Sequence, residues 1–199
     1  MSAIHARRRA ADGKGIGGSL ALVALCGVLT LAAGPAAAVD GVSFEYGKSD
    51  SSNSDVNLYR VGLQWKWQKR WFDTGNWHVG GFWDLTLGRW DNRTVGRTNS
   101  GLADLGFTPT FRFQQNNPSG VSPYLEAAIG VHLFSETEVG PQRRFGSGFS
   151  FGDHVGAGLR FGSKGAFDLG YRYQHLSNGG LKAPNQGINF HQIRLQYHF

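Results

Sequence analysis

The chain has 199 residues with 30 glycines, 13% aromatic residues and one cysteine. A lone cysteine excludes a disulfide framework, and a glycine- and aromatic-rich chain without long apolar runs past residue 40 is a poor fit to a helical membrane bundle or a disordered tail. The net charge is +6, but acids and bases are interspersed without a basic stripe, which argues against nucleic acid as a partner.

The first segment has the features of an export leader. Arg7, Arg8, Arg9 and Lys14 form a basic n-region, residues 20–33 form an apolar h-region, and Ala36, Ala37 and Ala38 offer small residues at a cleavage site before Val39. This predicts a signal peptide over 1–38 and a mature domain over 39–199. The apolar run is too short for a bilayer span, which needs about 20 residues. A lipoprotein reading would use Cys26, but Leu25 stands where a small residue is expected. Removing 1–38 leaves 16 basic and 13 acidic residues, a net +3.

From residue 39 the dominant period is two. Val42, Phe44 and Tyr46 alternate with polar or small residues, and Val61, Leu63, Trp65 and Trp67 follow. Trp77, Val79, Gly81, Trp83, Leu85 and Leu87 continue the pattern, then Leu105, Phe107, Phe111 and Phe113. Next come Leu125 to Leu133, Val155 to Phe161, Phe167 to Tyr173, and Ile193 to Phe199. Eight alternating segments joined by turns predict an all-β, eight-stranded antiparallel transmembrane β-barrel. Short turns are expected near 68–75, 116–123 and 163–165, and longer loops near 48–55, 91–100, 134–146 and 178–187. The apolar face should meet lipid. The opposite face carries Arg, Asp, Glu, His and Gln, which should fill the narrow interior of an eight-stranded barrel. His78, His132, His154 and His198 fall on that interior face, with no spacing that suggests a zinc site. The terminal Phe199 resembles the C-terminal assembly signal of bacterial outer-membrane proteins, so the expected address is the bacterial outer membrane, crossed many times. The alternative is a soluble lipocalin-type barrel with its apolar face inward, but the other face is too charged for a surface packed in that sense.

One segment departs from the pattern. His175 and Ser177 continue the lipid-facing phase of Phe167, Leu169, Tyr171 and Tyr173. Polar groups there are costly except near the membrane interface, and both sit beside the 178–187 loop. A serine and a histidine on one face two residues apart can act as nucleophile and general base. The same pattern is also read as a strand end dissolving into a polar loop.

The run Tyr173-Gln-His175-Leu-Ser177-Asn178-Gly179-Gly180-Leu-Lys-Ala-Pro184-Asn185-Gln-Gly187 resembles the signature of the lipid A 3-O-deacylases, outer-membrane β-barrel esterases. The resemblance implies Ser177 as nucleophile and His175 as base. It places Asn178 and Asn185 near the ester carbonyl, with backbone N–H groups near Gly179 and Gly180 stabilising the oxyanion. It also implies lipid A of lipopolysaccharide in the outer leaflet as substrate, with no metal or organic cofactor required. The family usually has a Glu on the last strand to orient the histidine; the matching position here is Asn189. An asparagine can accept the imidazole N–H but cannot stabilise imidazolium charge as a carboxylate does. Counting a hairpin back from a turn centred on Lys164 sets Asp153 opposite His175, a substitute acid on the same face; pairing of Asp153 with Arg143 or Arg144 is the competing reading. Arg89, Arg93, Arg97, Arg143 and Arg144 lie in or beside long loops and read equally as phosphate contacts or solvated charge. Two other functions stay open: a catalytically degenerate structural barrel, supported by Asn189, and a small-molecule transport barrel. A homodimer would cover the outward polar site.

Overall fold

The computed structural model describes residues 38–199, so the expected leader lies outside the described residues apart from Ala38. Eight strands close into a barrel: β1 (Gly41–Ser49), β2 (Val56–Lys66), β3 (Trp77–Asn92), β4 (Gly101–Gln115), β5 (Ser122–Phe134), β8 (Phe149–Phe161), β9 (Phe167–Ser177) and β10 (Ile188–His198). A small ribbon, β6 (Glu138–Gly140) with β7 (Arg143–Arg144), forms in the connection between β5 and β8. Each barrel strand pairs antiparallel with its sequence neighbours, and β1 closes on β10 from Gly41↔His198 to Ser49↔Phe190. Closure satisfies the backbone without an open edge, the requirement for a sheet in lipid.

The alternation that predicts the strands also sets their two faces. Along β5 every residue switches between buried and exposed. Its outward Leu125, Ile129 and Leu133 are 59%, 69% and 54% exposed, a cost in water and a fit in hydrocarbon. Aromatic residues gather on the outer wall at the short-turn end. Trp67 packs edge-on against Trp83 and Phe111, with centroids 5.5 and 4.9 Å away. Trp67 does not extend β2, as the alternation suggested; its ring lies over Gly81, where any Cβ would come within 2.4 Å of it. Trp71 then bridges back to Val79. The 67–76 connection is therefore longer than the 50–55 loop at the opposite end, because it folds back onto the wall.

The interior has two layers. The larger is ionic. Arg60 meets Glu45 at 3.0 Å and Asp104 at 2.6 Å. Arg194 bridges Glu45 and Asp84, both at 2.6 Å, and Arg172 contacts Glu45 at 2.9 Å and also Glu126. Arg112 reaches Glu126 and Asp168, both at 2.7 Å, and lies 3.8 Å over the Tyr124 ring. His132 and His198 join through Asp104 and Asp168. The second layer, at the long-loop end, was not expected from the polar face. Leu58, Trp90, Leu102, Phe134, Leu176, Ile188 and Phe190 turn inward and pack with Val139 and Phe145 of the β5–β8 connection. Trp90 joins the layers, its indole N–H donating to Asp104 at 3.4 Å.

Replacing Arg112 by leucine would take from Glu126 one of its two arginines and leave Asp168 with His198 alone among its charged partners. Breaking a buried pair in this way costs about 3–5 kcal/mol. The urea midpoint of the mature barrel refolded in micelles should fall accordingly; an unchanged midpoint would show that the interior pairs do not hold the barrel.

Candidate active site

Inward anchors fix which way the site points. Leu176 is fully buried in the apolar layer, so its neighbours His175 and Ser177 must project outward. Across the sheet, Ile188 and Phe190 are buried on either side of Asn189, which turns Asn189 outward as well. The register sets Asn189 directly opposite His175. Its Oδ1 lies 2.6 Å from His175 Nδ1. An amide oxygen only accepts, so Nδ1 carries the hydrogen and Nε2 is left as the basic nitrogen. The Asn189 that replaces the expected glutamate therefore still makes the orienting bond.

On the other side, Asp153 pairs in register with His175, the position the hairpin count selects. It shares the outer wall, but among the described residues no ion pair joins the two. The Nδ1 of the ring is taken by Asn189. Nor does Asp153 pair with the loop arginines: Arg144 binds Glu138 at 2.8 Å, and Arg143 is used elsewhere. Ser177 Oγ accepts the Gly179 N–H at 3.5 Å; among the described residues it makes no hydrogen bond to His175.

The loop after Ser177 is held by its own amides. Asn178 donates through Nδ2 to Lys182 O at 2.6 Å and accepts the Gly180 N–H at 3.0 Å. Asn185 Oδ1 accepts the Asn178 N–H at 2.8 Å. Of the groups the resemblance sets near the carbonyl, the Asn178 side chain and the Gly180 N–H are thus committed to loop shape, while the Gly179 N–H is the donor aimed at Ser177.

Two contributors were missed in the sequence. Gly187 has φ +48 and lies so close to the imidazole that a Cβ there would be 2.8 Å from His175 Cε1. Its glycine was legible within the signature run, but its contact needs the fold. Arg143, read as a loop charge, donates from Nη1 to the carbonyls of Gly187 and Gln186, the latter at 3.0 Å, and from Nη2 to Ser51 Oγ at 2.7 Å. Burial in this contact pushes its guanidinium below the ordinary arginine value. Arg144 N donates to Gln186 Oε1 at 2.5 Å, and Phe145 bridges Asn185. The β6–β7 loop therefore braces the segment that touches His175. Arg93 is likewise paired, with Asp91 at 3.0 Å.

Below the site a groove of about 510 Å³ runs along the outer wall. Phe111, Ala127, Ile129, Val155, Tyr173 and His175 line it. A serine hydroxyl, an oriented imidazole, a nearby N–H donor and a largely apolar outer groove, which Asp153 also lines, are an arrangement that can serve acyl-ester cleavage on a membrane-borne substrate.

The comparisons with known proteins agree. A family model described as Lipid A 3-O-deacylase (PagL) matches residues 57–198. The lipid A deacylase PagL of Pseudomonas aeruginosa is 39% identical over 135 residues, covering 68% of this chain and 74% of that protein. The protein of the same name from Bordetella bronchiseptica is 34% identical over 185 residues, covering 88% and 95%. The crystal structure of the outer membrane enzyme PagL superposes with a TM-score of 0.69 at 34% identity, over 80% of this chain and 99% of that one. On the family match, the relatives and the shared barrel, the chain belongs to the lipid A 3-O-deacylase family.

Proposed function

We propose that this chain hydrolyses the 3-O-linked acyl ester of lipid A using Ser177 as nucleophile and His175 as general base. Family membership carries the activity and the outer-membrane address. The observation that supports the residue roles is the outward His175, held through Nδ1 by Asn189, on the same face as Ser177.

The acyl chain lies in the outer groove, with its ester carbonyl at Ser177. His175 Nε2 takes the hydroxyl proton as Ser177 Oγ attacks. Negative charge develops on the carbonyl oxygen, and the Gly179 N–H and Asn185 Nδ2 are the donors for it; one such donor is worth about 3 kcal/mol. Asn178 and Gly180 act by shaping the loop. The imidazolium returns the proton to the sugar oxygen as the C–O bond breaks. Water, deprotonated by His175, then attacks the acyl-serine and frees the fatty acid. Asn189 sets the ring, and Asp153, facing His175 from β8, supplies negative charge beside the imidazolium that Asn189 cannot. Residues 1–38 serve as the export leader of this reading. Pairing of two copies over the outward site belongs to it too, read by sedimentation in micelles. The degenerate-barrel alternative rests on Asn189 lacking a charge; the bond at 2.6 Å, which keeps the ring oriented, favours the enzyme reading over it. The transport alternative finds no support in an interior filled by ion pairs and an apolar plug.

Mass spectrometry of lipid A from producing cells should show loss of one acyl chain with the wild-type protein and an intact profile with Ser177→Ala. Continued loss with Ser177→Ala would overturn the assignment of the nucleophile. In the same assay Asp153→Asn should slow deacylation, and an unchanged rate would remove Asp153 from the mechanism. A second test uses the crowding at His175. Gly187→Ala should leave the barrel folded but lower kcat about 100-fold, because a displacement of about 1 Å at a catalytic group costs that much. Unaltered kcat would mean that the imidazole does not depend on this contact.

A further inference from the structure

At the short-turn mouth of the barrel, opposite the site, a cavity of about 510 Å³ opens between the ends of β2, β3, β4 and β8. Lys66, Arg70, Arg160 and Lys164 line it, with Arg112 and His78 deeper in. Elsewhere in the interior Arg60, Arg112, Arg172 and Arg194 each touch at least one carboxylate. The mouth breaks that rule: among the described residues, none of Lys66, Arg70, Arg160 and Lys164 has a carboxylate within ion-pair distance. Arg160 donates instead to Gly165 O at 2.9 Å and Gln114 Oε1 at 3.3 Å.

The nearby acids are held by other hydrogen bonds and offset the charge of the mouth only from a distance. Asp168 binds Arg112 at 2.7 Å, His198 at 2.9 Å and the Tyr124 hydroxyl at 3.2 Å. Asp40 accepts the Lys66 backbone N–H at 2.7 Å. Asp73 accepts the Gly75 N–H at 2.9 Å and Asn116 Nδ2 at 2.8 Å. Gly80 keeps the floor open, since a Cβ there would sit 3.0 Å from His78 Nε2. Four cations converging on a recess repel one another, and the repulsion is relieved by an anion held among them. Arginine forks suit phosphate oxygens, and lysines add point charge.

We propose that this mouth is a binding site for a compact phosphate-bearing anion, supplied either as a soluble phosphate compound or as an anionic phospholipid headgroup. The site is independent of the outward ester site, which lies at the other end of the barrel.

Calorimetric titration of the mature barrel in phosphatidylcholine nanodiscs, at fixed ionic strength, tests it with two probes: inorganic pyrophosphate and short-chain phosphatidylglycerol. Saturable binding of either probe is expected, weakened at least tenfold in Arg70→Gln/Lys164→Gln. Both replaced residues lie outside the strands, and unheated gel mobility reports that the variant still folds. Pyrophosphate binding alone assigns a soluble phosphate compound, and phosphatidylglycerol binding assigns the lipid headgroup. Absence of saturable binding by both probes, or equal affinity in wild type and variant, overturns the proposal.

Discussion

Burial of Leu176 decides where its two neighbours point. A strand sends successive side chains to opposite faces, so a leucine locked into the apolar layer forces His175 and Ser177 through the wall toward lipid. Ile188 and Phe190 do the same for Asn189 on the next strand. A one-residue slip in either strand would turn the imidazole or its partner into the interior. The apolar plug thus sets the direction of the site as well as filling the barrel. Removing a buried leucine of this kind costs about 2–5 kcal/mol, a large share of a typical folding free energy.

The ionic layer beneath has a different task. Buried pairs add little net stability compared with apolar packing, but each carboxylate here is shared among residues from several strands. Glu45 of β1 meets arginines of β2, β9 and β10. Any other register would separate these partners and leave charges unpaired, so the network favours one alignment. A filled interior also fits the proposal that the chemistry takes place outside. A lipid substrate moves laterally in the leaflet and meets an outward site directly, whereas an interior site would require pulling an acyl chain out of the bilayer past charged residues.

Period-two alternation sufficed to read eight strands, their antiparallel order and the outward phase of His175 and Ser177. It also supported the count that set Asp153 opposite His175, which the register bears out. Three things were hidden, each for a physical reason. The inward phase near the long loops is apolar, as with Leu58, Leu102 and Leu176, and is lost when the strands are drawn too short. The turn after β2 folds back because Trp67 finds a flat seat at Gly81, a contact between residues of different segments. The support of His175 by Gly187, and of Gly187 by Arg143, joins loops that only the closed barrel brings together. The motif picks out Ser177 and His175 as candidates; the residues that hold them still are set by tertiary contact.

The account stands on a serine that works from the membrane side of the wall. A crystal structure of the barrel treated with a long-chain alkyl fluorophosphonate would test this most directly. The account predicts phosphorus bonded to Ser177 Oγ and the alkyl chain lying outside the barrel along Phe111, Ala127 and Val155. An unmodified Ser177, or a chain threaded into the interior, would contradict it.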